Sequence, residues 1–304
     1  MKISLKKAFV ILALVLLLAN IAVWEMVFVQ NRQSQGGAGE LIVAFLDIGQ
    51  GDSIFIQAPN GNQVLVDGGP TAKVLSQIGS LMPWYDKTLD MIVITNPDKD
   101  HIAGFVDVLR RYDVEYLLEP GTENKSLVNA EVHELATANG VKTLLARRGM
   151  EIVLDPNAGV LLTVLFPDRD VSEEEPNDGS IVMRLTYGET EVMLTGDAPS
   201  SVEKHLLSLQ SQLSVSASSS SSLRLESDIL KIGHHGSKTS TAQEFVSAVS
   251  PQYAVISSGK ENKYGHPNPE TLGTLSQFPL EVLRTDTLGT IVFQSDGKNL
   301  SRVK

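Results

Sequence analysis

An apolar run, Ile92-Val93-Ile94, stops at Thr95-Asn96-Pro97-Asp98-Lys99-Asp100-His101, and helical spacing begins at once, with Ile102, Phe105, Val106 and Leu109 on one side. A strand that empties into a helix through carboxylates and an imidazole restricts the fold strongly. Asp98, Asp100 and His101 crowd into four positions a ligand density that a divalent cation can use and a solvated loop seldom needs. The plainer alternative is that Asp98 and Asp100 cap the helix, because carboxylates accept its orphan N–H bonds and suit its dipole.

Composition narrows what such a junction can do. With 304 residues, 42% of them hydrophobic, the chain can bury one large core and carry an appendage. The absence of cysteine removes disulfides, thiolate ligands and thiol nucleophiles together. Any metal must therefore be held by His, Asp, Glu, Asn or backbone oxygen. A formal net charge of -11 repels polyanions on average, so a nucleic-acid substrate needs a local basic surface or bound cations. That counts against a simple DNA-binding module.

The N-terminus reads as a membrane element. Lys2, Lys6 and Lys7 lie in a basic segment, residues 1–7, ahead of an apolar run over residues 8–29 interrupted by Asn20 and by Trp24-Glu25. As a helix that run spans roughly 33 Å, enough for a hydrocarbon core of about 30 Å. The lysines keep residues 1–7 cytoplasmic and put the rest of the chain on the extracytoplasmic side, with Trp24 at the far interface. The expectation is an uncleaved single-pass signal anchor; the rivals are a cleaved signal peptide and a buried core helix. Residues 30–39 form a polar, glycine-containing linker.

From Leu41 the pattern is of short strands, then strands alternating with helices. Leu41 to Asp47, Ser53 to Gln57 and Gln63 to Asp67 predict an antiparallel meander, separated by Gly49-Gln50-Gly51 and Pro59-Asn60-Gly61-Asn62 turns. Further strands are predicted near 91–95, 115–118, 141–145, 159–165, 180–187, 191–195, 228–232 and 253–257, with two closing strands. Helices are predicted near 101–112, 128–138, 199–209, 241–249 and 269–278. This order suggests an α/β sandwich with helices on the outer faces. The serine run 208–222 predicts a flexible surface insertion.

Other ligand candidates fall at strand ends. Leu194-Thr195-Gly196-Asp197 ends one strand on an acid, and Ile229-Leu230-Lys231-Ile232-Gly233-His234-His235-Gly236-Ser237 ends another on paired histidines. With Asp100 and His101 they compose a set of N and O ligands for Zn, Mn or a similar ion. Taken alone, Thr195-Gly196-Asp197 and Asp67-Gly68-Gly69 are turns, and His266-Pro267 shapes a loop. His133 and His205, among polar neighbours, read as solvated. Trp84 and Tyr85 read as packing residues rather than a base-stacking platform.

The ordered set resembles the metallo-β-lactamase fold, and more narrowly the extracytoplasmic hydrolase-like domain of the ComEC competence family. The matching pieces are Phe45-Leu46-Asp47-Ile48-Gly49-Gln50-Gly51-Asp52-Ser53, Leu65-Val66-Asp67-Gly68-Gly69, the Asp98 to Gly104 block, Asn177 to Ser180, Thr195-Gly196-Asp197, His234-His235-Gly236-Ser237 and Tyr264-Gly265-His266-Pro267. The resemblance implies an αββα hydrolase domain over residues 40–304 that uses one or two Zn or Mn ions on a phosphodiester, DNA above all. By position it assigns metal binding to Asp98, Asp100, His101, Asp197, His234 and His235. It gives catalytic roles to Asp100, which orients the attacking water, and to His266, which holds a phosphate oxygen or protonates a leaving group. Asp67, Asn96 and Ser180 fall behind these as supports.

Asn96 stands where family members commonly carry histidine, and an amide is the poorer zinc ligand. With Asp98 the set is oxygen-rich, which favours a harder ion such as Mn²⁺. Three functions are compatible with this reading. The first is a membrane-anchored nuclease or phosphodiesterase serving DNA uptake beside a separate channel protein, since one membrane segment makes no channel. The second is a same-fold hydrolase of a cell-wall, phosphocholine or β-lactam substrate. The third is a metal-free, non-catalytic binding domain.

Overall fold

The structure, a computed structural model of the chain, describes residues 39–215 and 223–304. The expected basic segment, signal anchor and nearly all of the linker lie outside the described residues, as does the serine run 216–222. Among the described residues no helix is long and apolar enough to cross a membrane.

Two mixed sheets form the centre. The first holds β1 (Leu41–Phe45), β2 (Ile54–Gln57), β3 (Gln63–Val66), β4 (Thr88–Val93), β5 (Asp113–Glu119), β6 (Lys142–Leu145), β14 (Ile291–Ser295) and β15 (Leu300–Arg302), in the order β15-β14-β1-β2-β3-β4-β5-β6. The predicted meander is there in β1 to β3, and β3 to β6 run parallel. The second sheet holds β7 (Glu151–Asp155), β8 (Val160–Phe166), β9 (Val182–Tyr187), β10 (Thr190–Leu194), β11 (Ile229–Lys231), β12 (Tyr253–Ile256) and β13 (Glu281–Arg284). β7 to β10 pair antiparallel, and β10 to β13 run parallel.

Side-chain alternation along the strands builds the layers. Leu41, Val43 and Phe45 of β1 and Val192 and Leu194 of β10 enter the core between the sheets, while Ala44 and Met193 turn outward. Outside the first sheet, α1 (Lys73–Ile78), α2 (Lys99–Leu109) and α3 (Leu127–Ala138) bury Val74, Phe105 and Val132 against Phe55, Leu65 and Ile92. Outside the second, α4 (Ser200–Val215), α5 (Gln243–Val249) and α6 (Pro269–Leu275) bury Leu206, Phe245 and Leu275 against Leu230 and Ala254. The four layers are those of the expected αββα sandwich. A last short helix, α7 (Thr285–Leu288), leads into β14.

Several expectations need correction. The serine run does not begin as a loop: α4 continues to Val215, because Leu206, Leu207 and Leu209 extend its apolar side. Its serines bond locally, Ser211 Oγ donating to Ser208 O at 2.8 Å and Gln212 Nε2 to Ser208 Oγ at 3.1 Å. Trp84 is not a packing residue. It is 84% exposed, and its ring meets Tyr85 edge-on at 5.8 Å in the turn ahead of β4. Helix α1 and the short edge strand β7, whose apolar stretch is only Ile152-Val153-Leu154, add to the predicted elements, and three strands close the chain instead of two.

Helix α5 starts without a side-chain cap of its own. Glu203 of α4, 2% exposed, takes that part from a distance: its two carboxylate oxygens accept from Thr241 N and Ala242 N, each at 2.7 Å. Burial pushes the Glu203 carboxyl up from 4.5 to about 7, against the pull of the two backbone donors. The folded protein therefore holds that proton more tightly than the unfolded chain does. Its contribution to stability is full below pH 4.5 and is lost as the pH rises to about 7. Urea unfolding of wild type and Glu203→Gln across that range should show the wild type losing about 3 kcal/mol relative to the variant. Parallel curves would rule out the buried proton.

Candidate metal centre

Parallel strands present their carboxyl ends along one edge, and the candidate residues follow those ends. Asp67 follows β3, Asp98 to His101 follow β4, Asp197 follows β10, His234 and His235 follow β11, and His266 lies in the connection after β12. Both sheets thus contribute to one seam.

His101, in the first turn of α2, is fully buried and held from behind. Its Nδ1 lies 2.8 Å from Asp67 Oδ2, and Asp67 is itself fixed by Thr95, whose N donates to Oδ1 at 2.8 Å and whose Oγ1 donates to Oδ2 at 2.7 Å. This grip aims His101 Nε2 across the seam at Asp197 Oδ2, 3.1 Å away. A carboxylate behind one ring nitrogen is the arrangement that orients a ligating histidine, and Asp67 lies behind His101 in that way.

His235 repeats the arrangement from the other sheet. Its Nδ1 lies 3.2 Å from Asp52 Oδ1 and 3.1 Å from Ser257 O, while Nε2 lies 3.3 Å from Asp100 Oδ2 and 3.5 Å from Asp197 Oδ2. His234 stands at the edge of this group, with Nε2 3.8 Å from Asp197 Oδ2 and Nδ1 3.1 Å from Thr239 Oγ1. Both histidines adopt positive φ, 50° and 55°, which non-glycine residues rarely do without a constraint.

Asp52 is the functional residue that sequence reasoning missed. In sequence it holds a place in the Phe45 to Ser53 block and no role of its own, yet it is 1% exposed and pairs with Lys231 Nζ. Lys231, fully buried, also donates to Gly196 O at 2.8 Å and stands 3.8 Å from Asp197 Oδ1. On β11, Ile229 faces the core between the sheets and Leu230 faces outward, so parity sends Lys231 inward. A usable signal was an acid directly after Gly51. That glycine has φ of 137°, and a Cβ on it would lie 2.2 Å from Asp100 O, so backbone rather than side chain must pass there.

The donor set fits a divalent ion. Asp100, His101 and His235 form one group, and Asp52, Asp197 and His235 another, whose ligand atoms lie within 4.8 Å of one another. His101 Nε2, His235 Nε2 and Asp197 Oδ1 are buried without hydrogen-bond partners, although native interiors satisfy nearly all such atoms. These nitrogen and oxygen donors, with no sulfur, suit Zn or Mn. Burial disfavours charge on Asp197, but His235, His101 and Lys231 overcome it and hold the carboxyl well below its usual range. Burial likewise opposes the Asp52 carboxylate, and Lys231 and His235 outweigh it. In His235 burial would lower the pKa, but Asp197 and Asp52 raise it to about 9. A concentration of negative charge is being balanced by whatever cations and protons are at hand.

The remaining predicted residues divide. Asp98 occupies the N-cap position of α2 but makes no capping hydrogen bond; its Oδ1 lies 3.4 Å from Asn124 Nδ2. The capping alternative therefore fails for Asp98, which lies outside the tight ligand groups. Burial, then the charges of Asp100 and Asp197, push its carboxyl up, despite His101. Asn96 is buried and turned to loop construction: its Oδ1 accepts from Asp98 N at 2.8 Å and its Nδ2 points to Asn177 Oδ1 at 3.4 Å. Ser180, also buried, reaches Pro176 O at 3.5 Å and braces the turn before Ile181. The ring of His266 lies 5.7 Å from that of His234 and 6.4 Å from that of His235. His133 and His205, read as solvated, are half-exposed and face Glu119 at 3.3 Å and Asp168 at 2.7 Å.

Residues 46–260 match the Metallo-beta-lactamase superfamily. The chain belongs to that superfamily. It is 30% identical over 274 residues to ComE operon protein 3 of Bacillus subtilis (strain 168), covering 83% of this chain and 33% of that protein. It is 28% identical over 266 residues to Competence protein ComA of Neisseria gonorrhoeae, covering 88% of this chain and 34% of that one. The chain thus spans about a third of the length of these relatives. Among solved structures it is similar to Igni18, a metallo hydrolase of the archaeon Ignicoccus hospitalis KIN4/I, at 15% identity and a TM-score of 0.49, over 83% of this chain and 98% of that one.

Two measurements probe the centre directly. Lys231→Met should cost about 3–5 kcal/mol in urea unfolding, because it strands the buried Asp52 carboxylate, and Asp52→Asn in the same chain should recover much of that loss. Additive losses would show that the two side chains are independent. Mn²⁺ or Zn²⁺ at about 100 times its dissociation constant should stabilise the protein by about 2.7 kcal/mol, read as a raised Tm. Asp197→Ala or His101→Ala should remove that response; an unchanged response would place the ion elsewhere.

Proposed function

We propose that this chain is a membrane-anchored, metal-dependent phosphodiesterase or nuclease acting on DNA on the extracytoplasmic side of the cell membrane, in DNA uptake beside a separate channel protein. The observation that carries the reading is the convergence of Asp100, His101, Asp197 and His235 with orphaned buried donor atoms among them. Membership of the superfamily and the similarity to ComE operon protein 3 and to Competence protein ComA support it. The anchor is residues 8–29 and the hydrolase domain residues 40–304.

Asp100, His101, Asp197 and His235 hold the first ion, with Asp52 and Asp67 fixing the two histidines. His234 and Asp98, at the edge, serve a second. A divalent ion bound here supplies positive charge for phosphate oxygens and acidifies water. Asp100 is 35% exposed, the most open carboxylate of the tight groups. Burial raises its pKa, but the close approach of His235 Nε2, 3.3 Å away, and the charge of His101 bring it below the usual carboxylate value. It is ionised at neutral pH and can take a proton from water. His266 has its pKa lowered by burial and by the neighbouring His235 and His234. Beside the mouth it can hold a phosphate oxygen, or give a proton to a leaving group.

The test uses the purified 304-residue chain in detergent. Bis-p-nitrophenyl phosphate and single-stranded DNA are offered with Mn²⁺, Zn²⁺ or Mg²⁺, beside Asp100→Ala. Cleavage should need the metal and fall roughly 10²- to 10⁴-fold in the variant. Bound metal without cleavage of either substrate would overturn the phosphodiester reading.

A further inference from the structure

The connection after β12 forms a lip over the centre, and its construction is stiffer than a surface loop requires. Asn262 ties it together: Nδ2 donates to Gly259 O at 2.9 Å and to His266 O at 2.5 Å, while Oδ1 accepts from Tyr264 N at 3.2 Å and from His266 N at 2.9 Å. Gly259 N is held in turn by Gln50 Oε1 at 3.0 Å, which fastens the lip to the loop that carries Asp52. What this frame presents is an aromatic ring. Tyr264 is 58% exposed, and its ring is stacked on that of His266, 5.8 Å away at 25°. His266 in turn adjoins His234 and His235, so a single imidazole separates the phenol from the ligand cluster.

One cation lies over the ring, and two more stand exposed on the bordering loops. Lys263 Nζ lies over Tyr264 at 5.1 Å on an exposed stem, Lys260 is exposed on the same lip beside Glu261, and Lys238 is exposed on the neighbouring loop that follows His235. In a chain with a net charge of -11, three exposed lysines on the two loops bordering the centre supply the local positive surface that an anionic polymer needs. An exposed, rigidly mounted aromatic beside lysines is the arrangement that binds single-stranded nucleic acid, with bases stacking on the ring and phosphates meeting the cations. A β-lactam or phosphocholine ester offers no flat base to this surface.

We infer that Tyr264 is a nucleobase platform and a specificity-determining residue, receiving the base next to a phosphodiester held at the centre, with Lys263 and Lys260 on the adjoining phosphates. This rests on the phosphodiester reading and names its substrate class, single-stranded nucleic acid. The hydroxyl does not enter the argument, so Phe and Trp should replace Tyr.

The test compares one single-stranded oligodeoxynucleotide with an abasic strand of equal length, which keeps the phosphates and lacks the bases. For the metal-loaded 304-residue chain, kcat/KM and equilibrium binding by fluorescence anisotropy are measured on both strands. Wild type should prefer the base-bearing strand by roughly tenfold, the scale of one base–aromatic stack. In Tyr264→Ala that preference should collapse towards unity, while Tyr264→Phe and Tyr264→Trp retain it, with unchanged melting temperatures in all three. A preference that survives Tyr264→Ala, or is absent from wild type, overturns the platform even if both strands are cut. Base-dependent binding that Tyr264→Ala removes, without cleavage by wild type, keeps the platform and overturns the hydrolase instead.

Discussion

The pairing of Lys231 with Asp52 joins the two halves of this molecule where an apolar contact could not. Asp52 hangs from the loop between β1 and β2 of the first sheet, and Lys231 ends β11 in the middle of the second. Neither touches solvent to any extent, so each charge is tolerable only because the other is present. Such a pair adds little net stability over well-packed apolar side chains, but it fixes position. From that fixed point the rest of the centre is laid out. Asp52 turns His235, Lys231 steadies Asp197 and the Gly196 carbonyl, and Asp197 lies opposite His101.

The two histidines that matter most come from opposite sheets and are supported alike, both by acids of the first sheet. Asp67 stands behind His101 as Asp52 stands behind His235, and in each ring Nδ1 is occupied so that Nε2 faces the seam. That shared orientation gives a purpose to two acids that would otherwise be costly to bury. It also explains why Asn96 need not be a damaged ligand. Its amide shapes the loop that delivers Asp98 and Asp100, a task that imidazole would perform less well because it cannot offer a carbonyl oxygen to Asp98 N.

Much of this was legible in the sequence, for reasons that can be named. Strand and helix periods marked β1 to β3 and α2, because a sheet covered by helices imposes strict alternation on its strands. Candidate ligands at strand ends stood out because His234-His235 and Asp98 to His101 are dense and local. What stayed hidden was pairing across the chain. Asp52 meets Lys231 over a long sequence separation, and neither carries a local mark beyond Gly51. Glu203 capping α5 is a second case, for no pattern in residues 241–243 announces a carboxylate arriving from another helix. The serine run misled for the opposite reason: composition spoke for a loop, while three leucines were enough to continue the helix. Trp84 looked like core material and proved to be surface, since side-chain size alone does not say which turn lies beneath a covering layer.

The direction of β1 has a consequence for how the enzyme would be mounted. β1 pairs antiparallel with β2, and β2 with β3, so β1 runs parallel to β3 and its carboxyl end shares the edge that bears Asp67. Its first residue, Leu41, therefore lies at the opposite pole of the sandwich. Under the anchoring proposed above, the support would lie on the side of that far pole, and the open face with its tyrosine lip would be turned away from it. A protein hung in this way offers its mouth to the medium rather than to its support, with the length of the strands as the standoff.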